Sequence, residues 1–328
     1  MKRAFGITAS LILFAVAAFL VSVGSVQAQD YPSRAIQLIV PYSPGGTTDI
    51  FFRAINEGFE KNTGGRVEII NKPGGGGIIG TSSVVNSKPD GYTLVNMSAE
   101  NTTIAVAFTP TMPYDITKDL TYIAKGCEVA VGLVVRNESP FKTLEDLVAY
   151  AKANPGKLKG AGMGIVGTPH MIFGVFTRDA KLDVAWVPFD GGGEVVASIL
   201  GGHVDFALPS ISVISPHLDS GKVRMLALAS PKRLSQYSNV PTLAEKGYPK
   251  ASFAVALGLG GPKGLPPAIA AKLQKAMDTT LKDPKVIAAL GKIPGIVIDF
   301  KTGEDYYKEL MANAGVFKEI AATTKPKK

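Results

Sequence analysis

The sequence predicts an α/β protein of two domains joined by two crossing strands, and three observations carry that reading. The chain has 328 residues, 46% of them hydrophobic and 19% charged. That is enough apolar material for two cores and far from the composition of a disordered chain. Short apolar runs alternate with segments of helical period almost throughout, the pattern of parallel or mixed sheets covered by helices. No Gly/Ser- or Pro-rich linker divides the chain, so two domains would have to share strands that pass between them.

The first 28 residues read as a leader. Met1-Lys2-Arg3 is a basic start, Ala4 to Val26 is apolar, and Val26-Gln27-Ala28 has the small-x-small form of a cleavage site. A signal peptide cut near Ala28 is expected. The alternative, a retained membrane anchor, is weakened by Gly6, Thr8, Ser10, Ser22, Gly24 and Ser25. No later run of about 20 apolar residues follows, so the mature chain is expected to be soluble. No cysteine sits at the cleavage position to take a lipid, and a periplasmic location follows.

Next come the elements of the mature chain. Ala35 to Tyr42, Val67 to Ile70 and Thr93 to Met97 read as strands. Thr47 to Lys61 reads as a helix, with Ile50, Phe51, Ala54, Ile55 and Phe59 near the helical period, and Ile78 to Asn86 as another. Further strands are expected at 133–135, 186–188, 205–208, 223–229 and 253–259, and helices at 143–153, 169–179, 194–200, 269–281 and 303–322. Crossings are expected within 125–135 and 251–259. The domains are then 29–128 with 254–328, and 129–253, with the last helices packed back on the first.

The glycines carry the functional signal. In Pro41-Tyr42-Ser43-Pro44-Gly45-Gly46-Thr47-Thr48-Asp49 a strand ends, two glycines turn the chain and a helix begins. A helix start presents unpaired N–H groups and a partial positive charge, so it takes an anion without Arg or Lys. The N–H of Gly46 is expected to face such a ligand. A second turn of this form is Gly160-Ala161-Gly162-Met163-Gly164-Ile165-Val166-Gly167-Thr168-Pro169-His170, with Thr168 as cap and Pro169 at the first helical position. A third is Pro188-Phe189-Asp190-Gly191-Gly192-Gly193-Glu194, and Asn71-Lys72-Pro73-Gly74-Gly75-Gly76-Gly77 has similar form. Any one of these is an ordinary strand-to-helix connection. Several in one chain point to a shared cleft beyond the carboxyl ends of the strands.

Together these segments resemble the periplasmic substrate-binding receptors of tripartite tricarboxylate transporters, the Bug family. The resemblance runs from about Tyr31 to the C-terminus. It is carried also by Tyr31-Pro32-Ser33-Arg34, Pro89-Asp90-Gly91-Tyr92, Gly201-Gly202-His203-Val204-Asp205 and Val240-Pro241-Thr242. It implies a Venus-flytrap, type II periplasmic-binding-protein architecture, monomeric, closing on a small carboxylate such as a di- or tricarboxylate, an aromatic acid or an amino acid. It also implies permease subunits in the membrane as partners. The ligand-gripping turns would be Tyr42 to Thr47 (Tyr42, Ser43, Pro44, Gly45, Gly46, Thr47) and Gly164 to Thr168 (Gly164, Ile165, Val166, Gly167, Thr168). Ser98 and Ala99 follow a strand where the family keeps small or hydroxylic residues. Asp49 matches a family acid that accepts at the helix start. His170, Gly191 and Asp205 complete the candidate ligand contacts.

Two acids depart from the family pattern, Glu100 after Ala99 and Asp190 before the third glycine turn. Acids beside a carboxylate pocket either face solvent or meet a cation on the ligand.

Enzyme chemistry has little support. One cysteine excludes a disulfide framework and a multi-Cys metal site, and three histidines argue against a His-rich one. No G-x-S-x-G elbow is present, and Cys127 sits in an apolar run. Gly162-x-Gly164-x-x-Gly167 matches a dinucleotide fingerprint with Asp190 downstream, which keeps a nicotinamide oxidoreductase as a rival. The leader and Pro169 oppose it. Thr81 stands where a P-loop needs Lys. The net charge of +8 is spread without a basic block, so nucleic acid is not an expected partner. No catalytic residue, metal or cofactor is expected. A receptor that feeds a sensor kinase stays open beside transport.

Overall fold

A computed structural model describes residues 31–109, 111–164, 167–189, 191–230 and 232–324; the leader lies outside them. From Arg34 onward the described residues form one compact unit, built on two sheets. The first holds β1 (Ile36–Val40), β2 (Val67–Asn71), β3 (Thr93–Met97), β4 (Leu120–Val129), β10 (Val255–Pro262) and β11 (Ile296–Thr302). Their order is β11-β4-β10-β3-β1-β2. The second holds β5 (Val131–Arg136), β6 (Lys159–Met163), β7 (Ala185–Phe189), β8 (Phe206–Ala207) and β9 (Val223–Ala229), in the order β7-β6-β8-β5-β9. Both are mixed. β1 runs parallel to β2 and β3, β6 runs parallel to β7 and β8, and β4, β5, β9, β10 and β11 make antiparallel pairs.

The parallel strands are apolar because helices cover both faces. Ile39 pairs with Ile70 on one side and Val95 on the other. Helix α1 (Thr47–Thr63) buries Phe51, Phe52, Ile55 and Phe59, and Gly64 ends it in the left-handed conformation that only glycine adopts freely. The other helices are α2 (Ile78–Val85), α3 (Thr103–Phe108), α4 (Leu144–Ala153), α5 (Thr168–Ala180), α6 (Gly192–Leu200) and α7 (Ile211–Asp219). After them come α8 (Pro267–Lys282), α9 (Pro284–Gly291), α10 (Gly303–Ala312) and α11 (Ala314–Thr324).

The chain passes from the first sheet to the second at Ala130, between β4 and β5, and returns after β9 to begin β10. The outward passage is pinned on both sides. Ala130 donates its N–H to the Gly295 carbonyl at 2.8 Å and accepts from Ile211 N–H at 2.9 Å.

Beyond the unforeseen helices α3 and α9, three features differ from the sequence expectation. β6 is a strand rich in glycine, a residue that weakens strands. Its glycines are needed for closeness: a Cβ on Gly160 would lie 2.6 Å from the Phe206 ring, and one on Gly162 would lie 2.5 Å from Trp186. β4 and β11 also escape a reading by apolar runs, because both carry charges. Lys125 of β4 is fully buried, with its Nζ 2.7 Å from Glu128, 2.7 Å from Asp299 and 2.6 Å from Glu309. Burial alone would lower its pKa, but the three carboxylates outweigh that and raise it. The cluster ties β4 to β11 and α10 through polar contacts, which hydrophobic periodicity does not register. Finally, the last helical stretch is two helices. α10 packs on the first sheet, through Tyr306, whereas α11 places Phe317 and Ile320 in one core with Phe173 and Phe176 of α5.

Candidate functional site

A cleft of about 690 Å³ opens beyond the carboxyl ends of strands from both sheets. β1 delivers Tyr42 to Thr47 to its wall, and β6 and β7 deliver Met163, Gly164 and Phe189. The α6 start adds Gly191 to Gly193, and Ser210 at the α7 start faces the same space. The loop Pro73 to Gly77 forms another wall. Helix starts from both sheets therefore converge on one volume. Among the described lining residues none is Lys or Arg, and the single ionisable acid is Glu100.

The first turn is held by side chains behind it. Asp49 is buried, and its carboxylate accepts the Gly45 N–H at 2.9 Å, the Arg53 Nε at 2.9 Å and the Asn71 Nδ2 at 3.0 Å. Asn71 also donates to the Tyr42 carbonyl at 3.1 Å. Burial pushes the Asp49 carboxyl up, but these donors and the Arg53 charge hold it below its ordinary range. Gly45 sits at φ +74, a conformation that costs an L-residue about 1–2 kcal/mol. The Gly46 N–H does not face the cleft as expected. It turns back to the Ser43 carbonyl at 3.4 Å, so the donors left at this helix start are those of Thr47 and Thr48, which line the cleft and have no carbonyl upstream within the helix.

In the second turn, Gly164 is engaged internally. Gly164 gives its N–H to the Phe189 carbonyl at 2.8 Å and its carbonyl to Trp186 Nε1 at 3.1 Å. The cap of α5 is Gly167, one residue before the expected position, which puts Thr168 and Pro169 inside the first turn. The Thr168 N–H meets Glu100 Oε1 at 3.3 Å. A second polar contact between elements of the two sheets is Thr47 Oγ1 to Ser212 Oγ, 3.1 Å.

Of the residues singled out from sequence, Tyr42, Ser43, Pro44, Gly45, Gly46, Thr47, Gly164 and Gly191 line the cleft. Ile165 and Val166, with Asp190, lie outside the described residues. Asp49 stands behind the turn. Ser98 is buried, with its Oγ 3.0 Å from the Tyr42 hydroxyl, so it supports a lining residue. Burial of that phenol, with the Glu100 charge nearby, pushes the Tyr42 pKa well up. Ala99 packs into the core, and its carbonyl accepts from Thr102 and Ile104. Gly167 has Met163 O 2.9 Å from its Cβ position, so it serves close packing. His170 is buried in an aromatic stack, 5.2 Å from Trp186 and 5.6 Å from Phe108 between ring centroids. Asp205 is at the opposite end of the second sheet, where Oδ2 accepts the Lys159 N–H at 2.7 Å. An acid ahead of a strand start serves the amino end of a parallel sheet, and the cleft is at the carboxyl end.

The sequence reading had no place for Ser210, Ser212, Val213 or the bracing amide of Asn101. Ser210 carried a usable signal, a polar cap directly before a helical pattern. Asn101 takes the Ser98 N–H at 2.8 Å and donates to Thr81 Oγ1 and the Asn96 carbonyl, each at 2.8 Å. It thereby fixes the loop that carries Glu100, and no local pattern announces it.

Known proteins share this arrangement. Residues 51–302 match the model of the tripartite tricarboxylate transporter family receptor. The chain is 32% identical over 305 residues to protein BugT of Bordetella pertussis, covering 92% of this chain and 93% of BugT. A solved periplasmic transporter superposes with TM-score 0.83 at 33% identity, over 90% of this chain and 99% of the other. MatC of Rhodopseudomonas palustris, solved with bound malate, superposes with TM-score 0.80 at 28% identity, over 89% and 100%. The two sheets with their helices are those of a periplasmic binding protein, and the chain belongs to the tripartite tricarboxylate transporter receptor family, with the Bug proteins among its relatives.

Proposed function

We propose that this protein is a periplasmic receptor that captures a small carboxylate and presents it to the membrane subunits of a tripartite tricarboxylate-type transporter. The observation that carries the reading is the convergence of helix starts from both sheets on a cleft without Lys or Arg among its described lining residues. Such a cleft neutralises an anion with backbone N–H groups and helix dipoles. MatC with malate lends support as a relative of similar fold that holds a carboxylate.

The two sheets act as two lobes, 29–128 with 254–328 and 129–253, swinging about Ala130 and the return segment before β10. Contacts such as Thr47 to Ser212 form only when the lobes close, so a ligand that bridges them shifts the equilibrium toward closure. The closed monomer is the form a permease would recognise. The leader, with its cut near Ala28, delivers the chain to the periplasm. Among the described residues no helix is long and apolar enough to cross a membrane.

A thermal-shift screen of the mature protein, unfolded and refolded to strip bound ligand, tests the reading. A carboxylate at 100 times its dissociation constant stabilises by about 2.7 kcal/mol, a shift of several degrees. No shift with any di-, tri-, aromatic or amino carboxylate would reject it.

A further inference from the structure

Glu100 is 3% exposed and lines the cleft. Its Oε1 accepts the Thr168 N–H at 3.3 Å, and its Oε2 is buried with no hydrogen-bond partner. A buried anionic oxygen without a donor is costly, and a second anion beside it adds repulsion. The loop is braced by the Asn101 amide, and Tyr114 donates to the Asn101 carbonyl at 2.7 Å, so Glu100 is held at the cleft wall by a built frame. No Lys or Arg among the described lining residues is placed to meet it.

We infer that Glu100 is the specificity-determining residue of this cleft and selects a carboxylate that also carries an ammonium group. The inference rests on the carboxylate-receptor reading above. The ligand's carboxylate takes the donors at the starts of α1 and α6, while its ammonium donates to Oε2 of Glu100. With the Thr168 N–H given to Oε1, the α5 start holds the protein's own carboxylate and leaves the ligand's to the other helix starts. A plain dicarboxylate would put further negative charge against Glu100 with nothing to offset it.

The test is calorimetric titration of the stripped protein and of Glu100→Gln with matched acids: alanine and propionate, aspartate and succinate, glutamate and glutarate, 4-aminobutyrate and butyrate. Circular dichroism and the unfolding midpoint check that the variant is folded. The wild type should bind at least one amino acid more than tenfold tighter than its des-amino partner. Glu100→Gln should collapse that ratio by tenfold or more, because the amide keeps the shape and removes the charge. A wild type that binds the des-amino acids as well or better, or a ratio unchanged in Glu100→Gln, overturns the inference and leaves the carboxylate reading standing. Binding of no acid by the folded wild type overturns both.

Discussion

The two glycine turns, Tyr42 to Thr47 and Gly164 to Thr168, look alike in sequence and are used differently. Both end a parallel strand and open a helix at the cleft. The first is braced from behind by Asp49, Arg53 and Asn71, and Thr47 and Thr48, whose N–H groups have no carbonyl upstream within α1, line the cleft. In the second, Phe189 takes the Gly164 N–H, and Glu100 takes that of Thr168. A glycine-rich turn therefore marks where backbone is able to approach a ligand. Where its donors are spent is decided by partners outside the turn, for the second turn the Phe189 carbonyl and the Glu100 carboxylate.

The largest effect that separates the turns is expected at Trp186. It stacks on His170, packs at a tilt against Phe173 and donates to the Gly164 carbonyl. Trp186→Ala should cost about 2–3 kcal/mol, below the range for a fully buried aromatic because the ring is half-buried. Denaturant unfolding measures this, and a loss under 1 kcal/mol would show that the second turn stands without its aromatic support.

Asp49→Ala comes next. It removes the acceptor of the Gly45 N–H and one of the two partners of the Asn71 amide nitrogen, for a loss of about 1–3 kcal/mol in stability and a weaker ligand affinity by calorimetry. Unchanged affinity would remove the first turn from the binding account. The same carboxylate gives stability an acid limb. Its pKa is lowered in the folded protein, so its contribution is complete above the unfolded value of about 3.9 and is lost as pH falls through the folded one. Melting midpoints measured downward from pH 6 should fall less steeply below about pH 4 in Asp49→Ala than in the wild type.

The smallest effect concerns closure. Ser212→Ala removes the hydroxyl that meets Thr47, and should weaken ligand binding by about 0.5–1.5 kcal/mol with little change in the stripped protein's stability. A loss of stability without ligand, with affinity unchanged, would mean that the contact exists in every folded state.

The legible parts of this molecule were those fixed by local pattern. The strands at 93–97 and 223–229 are where the apolar runs place them, because buried strands need continuous apolar sequence. α1 follows from its phenylalanine spacing. β6 was illegible because its glycines answer to Phe206 and Trp186, and β11 because its charges answer to Lys125. The site divided in the same way. Turns that reach the cleft wall were legible from glycine and helix-start signals. The direction of the Gly46 N–H, the diversion of Asp205 to the far sheet end and the seating of Glu100 against Thr168 were not. Each depends on a partner in another element.

On the proposed function, backbone donors at a helix start hold a carboxylate in this cleft. A crystal structure of the stripped protein, reloaded with a carboxylate that shifts its melting point, tests it most directly. A carboxylate oxygen is expected within about 3.2 Å of the Thr47 or Thr48 nitrogen. A carboxylate held by a Lys or Arg side chain outside the cleft, with the α1 start facing only solvent, would contradict it.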